Sequence, residues 1–338
     1  MRILLASDAW APQVNGVVVT LQNTKRELEA ASHKVEVVGP DRFLTLPCPT
    51  YPEIRLALWP ARALPRIVGS FQPDAVHIAT EGPIGIAMRR LCLRRGISFT
   101  TSYHTRFPEY LHARTRLPTA WTYSWLRRFH APAQAVMVST AAIQDDLRQR
   151  GFERLVRWSR GVDTTLFRPA PRLKNDWARP IFMFVGRVAV EKNIGAFLDL
   201  DLPGTKVVVG DGPQRTSLQR RFGDTVVFTG AKAGEELAAH FRSADVLVFP
   251  SRTDTFGLVL IEAMACGTPV AAYPVPGPLD VVKQGESGML DEDLRRAALA
   301  ALELDRDKVL RHALSFSWGN ATSQFLQHLR PHAQLGSA

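Results

Sequence analysis

The sequence has few cysteines, no long apolar run and no low-complexity tract. Its 338 residues include three scattered cysteines that suit neither a metal site nor a disulfide framework. We therefore expect a reducing, cytoplasmic environment. No stretch approaches the roughly 18 apolar residues of a membrane span, and the N-terminal residues do not form the pattern of a secretory signal. These absences favour a globular protein of the cytoplasm.

Acidic residues are scarce in one half of the chain only. Residues 1–160 contain 22 Lys and Arg against 12 Asp and Glu, whereas the remainder contains 20 of each. The whole excess of ten positive charges therefore belongs to the first half. Such asymmetry favours an anionic partner, although a basic surface retained for solubility is the plainer explanation.

Short runs rich in Val and Ile alternate with helical patterns along the chain. Five predicted strands lie between Ile3 and Val138, and five more between Ile181 and Ala272. Runs of this kind are typical of parallel strands that are buried on both faces. Alternating strands and helices predict an α/β fold with right-handed crossovers.

The two series of strands predict two Rossmann-like domains, at residues 1–165 and 172–314. A proline-containing segment, Gly161–Arg172, separates the two series. The end of the chain, residues 315–338, shows a helical pattern, and we expect its helix to pack back on the first domain.

Six segments together resemble one enzyme family, the retaining glycosyltransferases of family 4. They are APQVNGVV at 11–18, TSYHTRFPEYL at 101–111, GVDTTLFRP at 161–169, FVGRVAVEKN at 184–193, VVVGDGP at 207–213 and PSRTDTFGLVLIEAMACGTPV at 250–270. The resemblance implies the GT-B fold, in which two Rossmann-like domains with parallel sheets face each other across a cleft. The arrangement in the first half is similar to that of lipid-directed members, such as glucosyl- and sulfoquinovosyl-diacylglycerol synthases, and alpha-mannosyltransferases are further relatives.

The segment 250–270 carries the acidic part of the implied donor site. The resemblance implies that Asp254 contacts hydroxyls of the transferred sugar and that Glu262 accepts hydrogen bonds from the ribose. The family normally has Glu at the first position, so the shorter Asp254 changes the reach to the sugar. A helix begins between the two acids, and its amide groups suit a phosphate. The residues assigned to donor binding at this helix start are Phe256, Gly257, Leu258 and Val259.

The segment 184–193 carries the implied cations. Arg187 and Lys192 match the family residues that stabilise the departing nucleoside diphosphate, which makes both catalytic together with Asp254. Gly186, Gly210 and Lys232 follow predicted strands, and we assign them to binding of the donor nucleotide.

The first half supplies the remaining candidates. Gly16 follows the first strand and can present backbone to the diphosphate. His104 matches a family residue that reaches the transferred sugar. Tyr103, Arg106 and Tyr110 flank His104, and we expect them to line the acceptor side.

One acidic motif is excluded from the site. Asp199-Leu-Asp201 has the D-x-D form that binds a metal in another glycosyltransferase fold, but it lies at a helix end beside a Pro-Gly turn. The sequence offers no carboxylate cluster of the kind that holds Mg²⁺. We therefore expect no metal or other cofactor, with the sugar nucleotide acting as a substrate.

The prediction is a retaining hexosyltransferase that uses UDP-glucose, UDP-glucuronate or GDP-mannose. An isomerase of the same fold would need its own acid and base pair, a nucleic-acid-binding protein would need recognition motifs that are absent, and a non-catalytic sensor would not need the full donor set. We therefore expect the protein to bind a sugar nucleotide and not a nucleic acid.

Residues 103–129 indicate the acceptor. Arginines alternate with large apolar side chains in this stretch, as suits the surface of an anionic membrane. We predict a membrane lipid acceptor, such as diacylglycerol or a glycosylated form of it, and a peripheral location on the inner face of the cell membrane. The alternatives are an interior location for these aromatic residues and a GDP-mannose-dependent alpha-mannosyltransferase that acts on a soluble or polysaccharide-precursor acceptor.

Overall fold

The computed structural model describes residues 1–13, 15–48, 51–329 and 331. In this part of the chain, strands occupy the following ranges: β1 Arg2–Ala6, β2 Lys34–Val38, β3 Thr45–Cys48, β4 Tyr51–Ala57, β5 Ala75–Ile78, β6 Phe99–Tyr103, β7 Val136–Val138, β8 Leu155–Arg157, β9 Ile181–Val185, β10 Thr205–Val209, β11 Val226–Gly230, β12 Val246–Phe249, β13 Val270–Ala272 and β14 Gly288–Leu290.

The α-helices occupy a second set of ranges: α1 Gly16–Ala30, α2 Pro60–Phe71, α3 Pro83–Arg95, α4 Phe107–Thr115, α5 Thr119–His130, α6 Ala141–Gln149, α7 Ile194–Leu198, α8 Arg215–Phe222, α9 Gly234–Ser243, α10 Leu258–Ala265, α11 Pro278–Val281, α12 Leu294–Ala301, α13 Arg306–Ala313 and α14 Trp318–His328. Among the residues described, no helix combines the length and the apolar character that crossing a bilayer requires.

The chain forms two compact units. The first comprises Met1–Ser159 with the chain from Trp318 onward, and the second comprises Arg160–Ser317. The first unit has a six-stranded parallel sheet in the order β2-β1-β5-β6-β7-β8. An antiparallel hairpin, β3-β4, accompanies it and was not predicted.

The second unit has its own six-stranded parallel sheet, in the order β11-β10-β9-β12-β13-β14. The order reverses between β9 and β12, which are neighbours in the sheet although three helices and two strands separate them in the chain. A reversal of this kind opens a crevice beyond the carboxyl ends of the two strands, where doubly wound α/β proteins bind ligands. The prediction of two parallel-sheet Rossmann-like domains is confirmed.

Alternating side chains on the central strands explain why helices cover both faces of each sheet. In β1, Leu4 and Ala6 enter one core cluster, while Ile3 and Leu5 enter the cluster on the opposite face. In β9, the residues divide between two clusters in the same way. Burial on both faces is what made the strands visible as continuous apolar runs.

The helix α14 belongs to the core of the first unit. Its Phe325 is fully buried and lies 4.9 Å, between ring centroids, from both His77 and Trp158. The side chain of Gln324 accepts a 2.8 Å hydrogen bond from the amide of Ser159. The last helix therefore closes one face of the first sheet.

Candidate functional site

Two loops meet at the reversal point of the second sheet, one after β9 and one after β12. The side-chain amide of Asn193 donates from Nδ2 to the Pro250 carbonyl at 3.1 Å, and the Thr253 hydroxyl donates to the Glu191 carbonyl at 3.1 Å. These bonds hold the segments 186–193 and 250–254 together. The two segments with the predicted catalytic residues are thus neighbours.

Lys192 and Asp254 form an ion pair between these loops. The Lys192 Nζ lies 2.5 Å from Asp254 Oδ1, and both side chains are largely buried. The sequence predicted both residues but not their contact, which joins positions 62 residues apart. The second oxygen, Asp254 Oδ2, is buried and has no hydrogen-bond partner among the residues described. Because an unpaired buried acceptor is costly, this oxygen is suited to accept a hydrogen bond from a ligand.

Arg187 lies beside a buried carboxylate of its own loop. Its Nε is 3.9 Å from Glu191 Oε1, and Glu191 is only 8% exposed. About a third of the Arg187 side chain remains exposed. Each cation of the loop thus lies beside a carboxylate: Arg187 beside Glu191, and Lys192 beside Asp254.

A close backbone approach fixes the strand ends beside this loop. The Gly210 amide donates to Gly230 and the Gly186 amide donates to Val209, so β9, β10 and β11 end side by side. A Cβ atom on Gly210 would lie 1.8 Å from the Gly186 carbonyl oxygen, and Gly210 has a φ of +151°. Only glycine fits there, which explains the predicted Gly210 as a requirement of the backbone.

Helix α10 carries the remaining acidic candidate. Glu262 is partly exposed, yet burial of its carboxyl raises its pKa to about 7. Leu258 and Val259 are partly exposed at the first turn of the helix. Phe256, in contrast, is 6% exposed and packs on Phe316 in the core, so its side chain supports the loop rather than facing a ligand.

Sequence reasoning missed Gly277, which follows β13. Its φ is +96°, and a Cβ atom there would lie 2.9 Å from the backbone oxygen of Asp254. The glycine thus lets the loop after β13 pack on the loop that bears Asp254. The Pro-Gly-Pro sequence at 276–278 was the available signal, because this composition indicates a special turn.

Lys232 follows β11 and is held by an ion pair within its own segment. Its Nζ lies 2.5 Å from Glu236 Oε1, one helical turn away. Lys232 is therefore fixed by a local contact, and its assignment to the nucleotide remains a prediction.

In the first unit, the loop after β1 leads into α1. Asn15 caps this helix, since its side-chain oxygen accepts 3.0 Å hydrogen bonds from the amides of Val17 and Val18. Gly16 is exposed at the first position of α1. The cap occupies two amides, so a ligand at Gly16 would meet a helix end that is already partly satisfied.

The loop after β6 requires a correction. His104 is partly buried, and its ring centroid lies 5.6 Å from that of Trp158. Tyr103, predicted to line the acceptor side, is 1% exposed and packs in a core cluster with Tyr123 and Phe152. Tyr103 is the last residue of β6, a central strand whose residues are all buried. Its side chain therefore has no exposed surface for an acceptor.

Arg106 is held in a network of charges. Its guanidinium lies 3.2 Å from Glu109 and 3.2 Å from Asp146, and the side chain is 14% exposed. Burial opposes its charge, but the two carboxylates and Tyr123 outweigh burial and raise the pKa of Arg106. Arg106 therefore fastens the start of α4 to α6. The side chain of Tyr110 lies outside the described residues.

A buried carboxylate, Asp8, was also missed. Its oxygens accept hydrogen bonds from the amides of Ile84 and Gly85 and from the Thr80 hydroxyl. Burial raises the pKa of Asp8. The residue caps α3 from the loop after β1, so its role in this structure is to join that loop to the helix.

The D-x-D motif lies where the sequence analysis placed it, after the end of α7. Asp199 pairs with Arg221 at 3.4 Å and Asp201 approaches Arg295 at 3.8 Å, both on the surface. Among the described residues, no three His, Cys, Asp or Glu side chains lie close enough together to hold a metal ion.

Comparisons with known proteins agree with this arrangement. The family model described as Glycosyltransferase Family 4 matches residues 14–166, and that of Glycosyl transferases group 1 matches residues 179–307. A GDP-mannose-dependent alpha-mannosyltransferase from Mycobacterium tuberculosis is 31% identical over 97% of this chain and 96% of its own length. An alpha-monoglucosyldiacylglycerol synthase from Streptococcus pneumoniae is 27% identical over 93% of this chain and 81% of its own.

The fold has a close counterpart among solved structures. A sucrose-phosphate synthase from Thermosynechococcus elongatus superimposes with a TM-score of 0.78 at 22% identity, covering 96% of this chain and 97% of that one. The ordered motifs, the two parallel sheets and these relatives lead to one conclusion. This chain is a glycosyltransferase that belongs to family 4.

Proposed function

We propose that this enzyme transfers a hexosyl group from a sugar nucleotide to a membrane lipid acceptor, with retention of the anomeric configuration. The observation that carries the proposal is the contact between the loops after β9 and β12 at the reversal point of the second sheet. It brings two cations, Arg187 and Lys192, and the buried oxygen Asp254 Oδ2 to one edge.

Asp254 and Lys192 have complementary roles in this proposal. Lys192 fixes Oδ1, which leaves Oδ2 to accept a hydrogen bond from a hydroxyl of the transferred sugar. Charge develops on the departing diphosphate, and fixed cations that face it lower the barrier. Arg187 donates to the phosphate oxygens as a planar fork, and Lys192 adds a point charge.

The bond changes are those of a same-face substitution. The acceptor hydroxyl oxygen bonds to the anomeric carbon, the bond from that carbon to the diphosphate breaks, and a phosphate oxygen takes the hydroxyl proton. This route assigns no covalent intermediate to a carboxylate of the protein, unlike the two-carboxylate displacement of retaining glycosidases. The two cations supply the positive charge, so we propose activity that needs no added metal.

Nuclear magnetic resonance of the product anomer tests this scheme. An axial donor should give an axial product, and the rate should persist in EDTA. An inverted product, or a rate that EDTA abolishes and Mg²⁺ restores, would contradict it.

The acceptor proposal rests on the surface of α5. This helix buries Tyr123, Leu126 and Phe129 but exposes Trp121 and Trp125, which are 72% and 41% exposed. The alternative that these aromatic residues lie in the protein interior is thus correct for one face of α5 and wrong for the face that bears the two tryptophans.

The charge around these tryptophans also favours a membrane. Arg127 and Arg128 are exposed on the same helix. Residues 107–130 contain four arginines and one acidic residue. Exposed tryptophan beside arginine suits the headgroup region of an anionic bilayer, where each nearby cation contributes about 1 kcal/mol. A peripheral location on the inner face of the cell membrane follows from this proposal.

For the donor, the relatives favour GDP-mannose. The relative that spans 97% of this chain carries GDP-mannose in its name, whereas the relative with a diacylglycerol product is named for a glucosyl group. A thermal-shift panel of GDP-mannose, UDP-glucose and UDP-glucuronate separates these donors. The true donor at 100 times its Kd should stabilise the fold by about 2.7 kcal/mol.

The decisive experiment supplies the donor from that panel together with vesicles that contain diacylglycerol. Transfer to the lipid supports the whole proposal. Transfer only to a soluble sugar or polyol would leave the family assignment intact and replace the acceptor with a soluble or polysaccharide-precursor molecule.

A further inference from the structure

A basic cavity lies at the other end of the sheet in the second unit. Pro180 directly precedes β9, Asp245 directly precedes β12, and Pro269 directly precedes β13, so the cavity opens at the amino ends of these strands. The candidate donor site lies at their carboxyl ends. The cavity is separate from that site, because none of its lining residues belongs to the loops after β9 and β12, and it has a volume of about 410 Å³.

Three guanidinium groups line this cavity against a single carboxylate. Arg172, Arg179 and Arg306 are the cations, and Asp245 is the only acidic residue among the lining residues. Arg179 forms an ion pair with Asp245, while the Arg172 guanidinium approaches the same oxygen only to 4.0 Å. One carboxylate cannot balance three cations, so an excess of two positive charges faces the cavity.

Part of this charge is fixed by hydrogen bonds and is partly buried. Arg306 donates to the carbonyl of Ala244 at 3.1 Å and to the hydroxyl of Thr268 at 3.1 Å. Burial lowers the pKa of Arg306, and the neighbouring charges of Arg172 and Arg179 lower it further. Like charges that are fixed close together are destabilising without a counter-ion. An anion in the cavity would relieve this repulsion.

Asp245 has a structural task that leaves it little freedom to balance the arginines. Its Oδ2 accepts a 2.7 Å hydrogen bond from the amide of Ile181 at the start of β9. Its own amide donates to the Ile181 carbonyl at 2.8 Å. The carboxylate thus joins β12 to β9, and the cation excess is a fixed property of the cavity.

We infer that this cavity binds the phosphate groups of a small phosphorylated molecule. Planar guanidinium groups match phosphate oxygens in paired hydrogen bonds, and three of them suit a diphosphate or a phosphate monoester. The rest of the lining is apolar, which suits a ligand with a carbon skeleton beside its phosphate; it consists of Pro180, Pro269, Leu302 and Leu304. This inference does not depend on the proposed donor or acceptor.

Calorimetric titration with inorganic pyrophosphate tests the inference. The reference protein and all its variants carry Arg187→Ala, which weakens diphosphate binding at the candidate donor site. Arg172→Gln should weaken pyrophosphate binding about tenfold or more, because a hydrogen bond to a charged group is lost. Asp245→Asn should tighten it, because the only competing negative charge disappears. Arg311→Gln, an exposed change on α13, is the matched control and should leave binding unchanged.

The opposite signs separate binding from a structural role. If Arg172 only stabilised the fold, Arg172→Gln would lower the Tm without changing pyrophosphate affinity relative to Arg311→Gln, and this result would overturn the inference. Arg172→Gln should fold, since its side chain is 42% exposed and its ion pair with Asp245 is long, at 4.0 Å. It decides the question even where Asp245→Asn fails to fold.

A second arm identifies the source of the phosphate. The same variants are pelleted with vesicles of phosphatidic acid in phosphatidylcholine. If Arg172→Gln lowers only the pyrophosphate affinity, the ligand is a soluble phosphorylated molecule. If it also lowers vesicle binding, the ligand is a lipid headgroup. Unchanged pyrophosphate affinity of Arg172→Gln would reject the site, whatever the vesicle arm shows.

Discussion

The two units of this enzyme share a plan of six parallel strands, but they use charge differently. The first unit carries the whole excess of ten positive charges, whereas the second has 20 basic and 20 acidic residues. At the candidate donor site of the second unit, cations are paired with partly or fully buried carboxylates. On α5 of the first unit, arginines face outward beside exposed tryptophans.

The paired charges of the second unit suit the orientation of a substrate, whereas the exposed charges on α5 suit attraction to a membrane. Paired charges cost conformational freedom but give fixed geometry, which a reacting diphosphate requires. Unpaired surface cations give long-range attraction that salt screens. We therefore expect changes in the second unit to alter turnover, and changes on α5 to alter association with membranes.

The largest expected effect comes from Arg187→Ala. The loss of one donor that stabilises transition-state charge should lower kcat by roughly 10²–10³. Vesicle flotation should be unchanged, because α5 is intact. Arg220→Ala, an exposed change on α8 of the same unit, serves as the control. Near-normal turnover of a folded Arg187→Ala enzyme would remove the proposed role.

A smaller loss is expected from Asp254→Asn. The substitution removes the negative charge that holds Lys192 and weakens the acceptor for the sugar hydroxyl, so kcat/KM should fall about 10–100-fold. Asp254→Glu should retain much of the activity, since the family normally has Glu at this position. Asp224→Asn changes an exposed carboxylate of the same unit and should have no effect. A decrease that is equal in all three variants would contradict this role.

The double change Trp121→Ser with Trp125→Ser sharpens the other side of the comparison. Vesicle affinity should fall about tenfold or more, because burying each aromatic side chain contributes about 1.5–3 kcal/mol. Donor binding measured by calorimetry should stay the same. Trp59→Ser, at a tryptophan before α2 whose exposure of 63% lies between those of Trp121 and Trp125, is the control. Flotation that does not respond to the double change, or that responds as strongly to Trp59→Ser, would count against a membrane surface on α5.

The smallest effect concerns pH and Glu262. Burial raises the pKa of this carboxyl to about 7 from its ordinary value of 4.5, so its contribution to stability is full below pH 4.5 and is lost as the pH rises through 7. The free enzyme should therefore lose stability over this interval relative to Glu262→Gln. Donor affinity should change in the opposite direction, rising a few-fold, because the ionised carboxylate is the better acceptor for ribose hydroxyls. Parallel Tm and Kd curves for the two proteins between pH 5 and 8 test both signs.

The sequence was most informative where a local pattern determines the structure. The Val-rich strands and the start of α3 at Pro83 could be predicted because burial on both faces and a proline at a helix start leave local signals. The contact of Lys192 with Asp254 could not, since it depends on the order of strands in the sheet. Tyr103 was assigned to the acceptor side because it flanks His104, although a tyrosine suits either a core or a binding site. Only the burial of Tyr103 in the folded structure decides between these two environments.

The placement of α14 has a consequence for biosynthesis. The second unit is one continuous segment, but the first is completed only when Phe325 reaches the sheet that Ile3 and Leu5 began. On the ribosome, the amino-terminal half must wait with an uncovered apolar face while the later segment can already fold. A nascent chain arrested before Trp318 should therefore expose the binding surface that chaperones recognise.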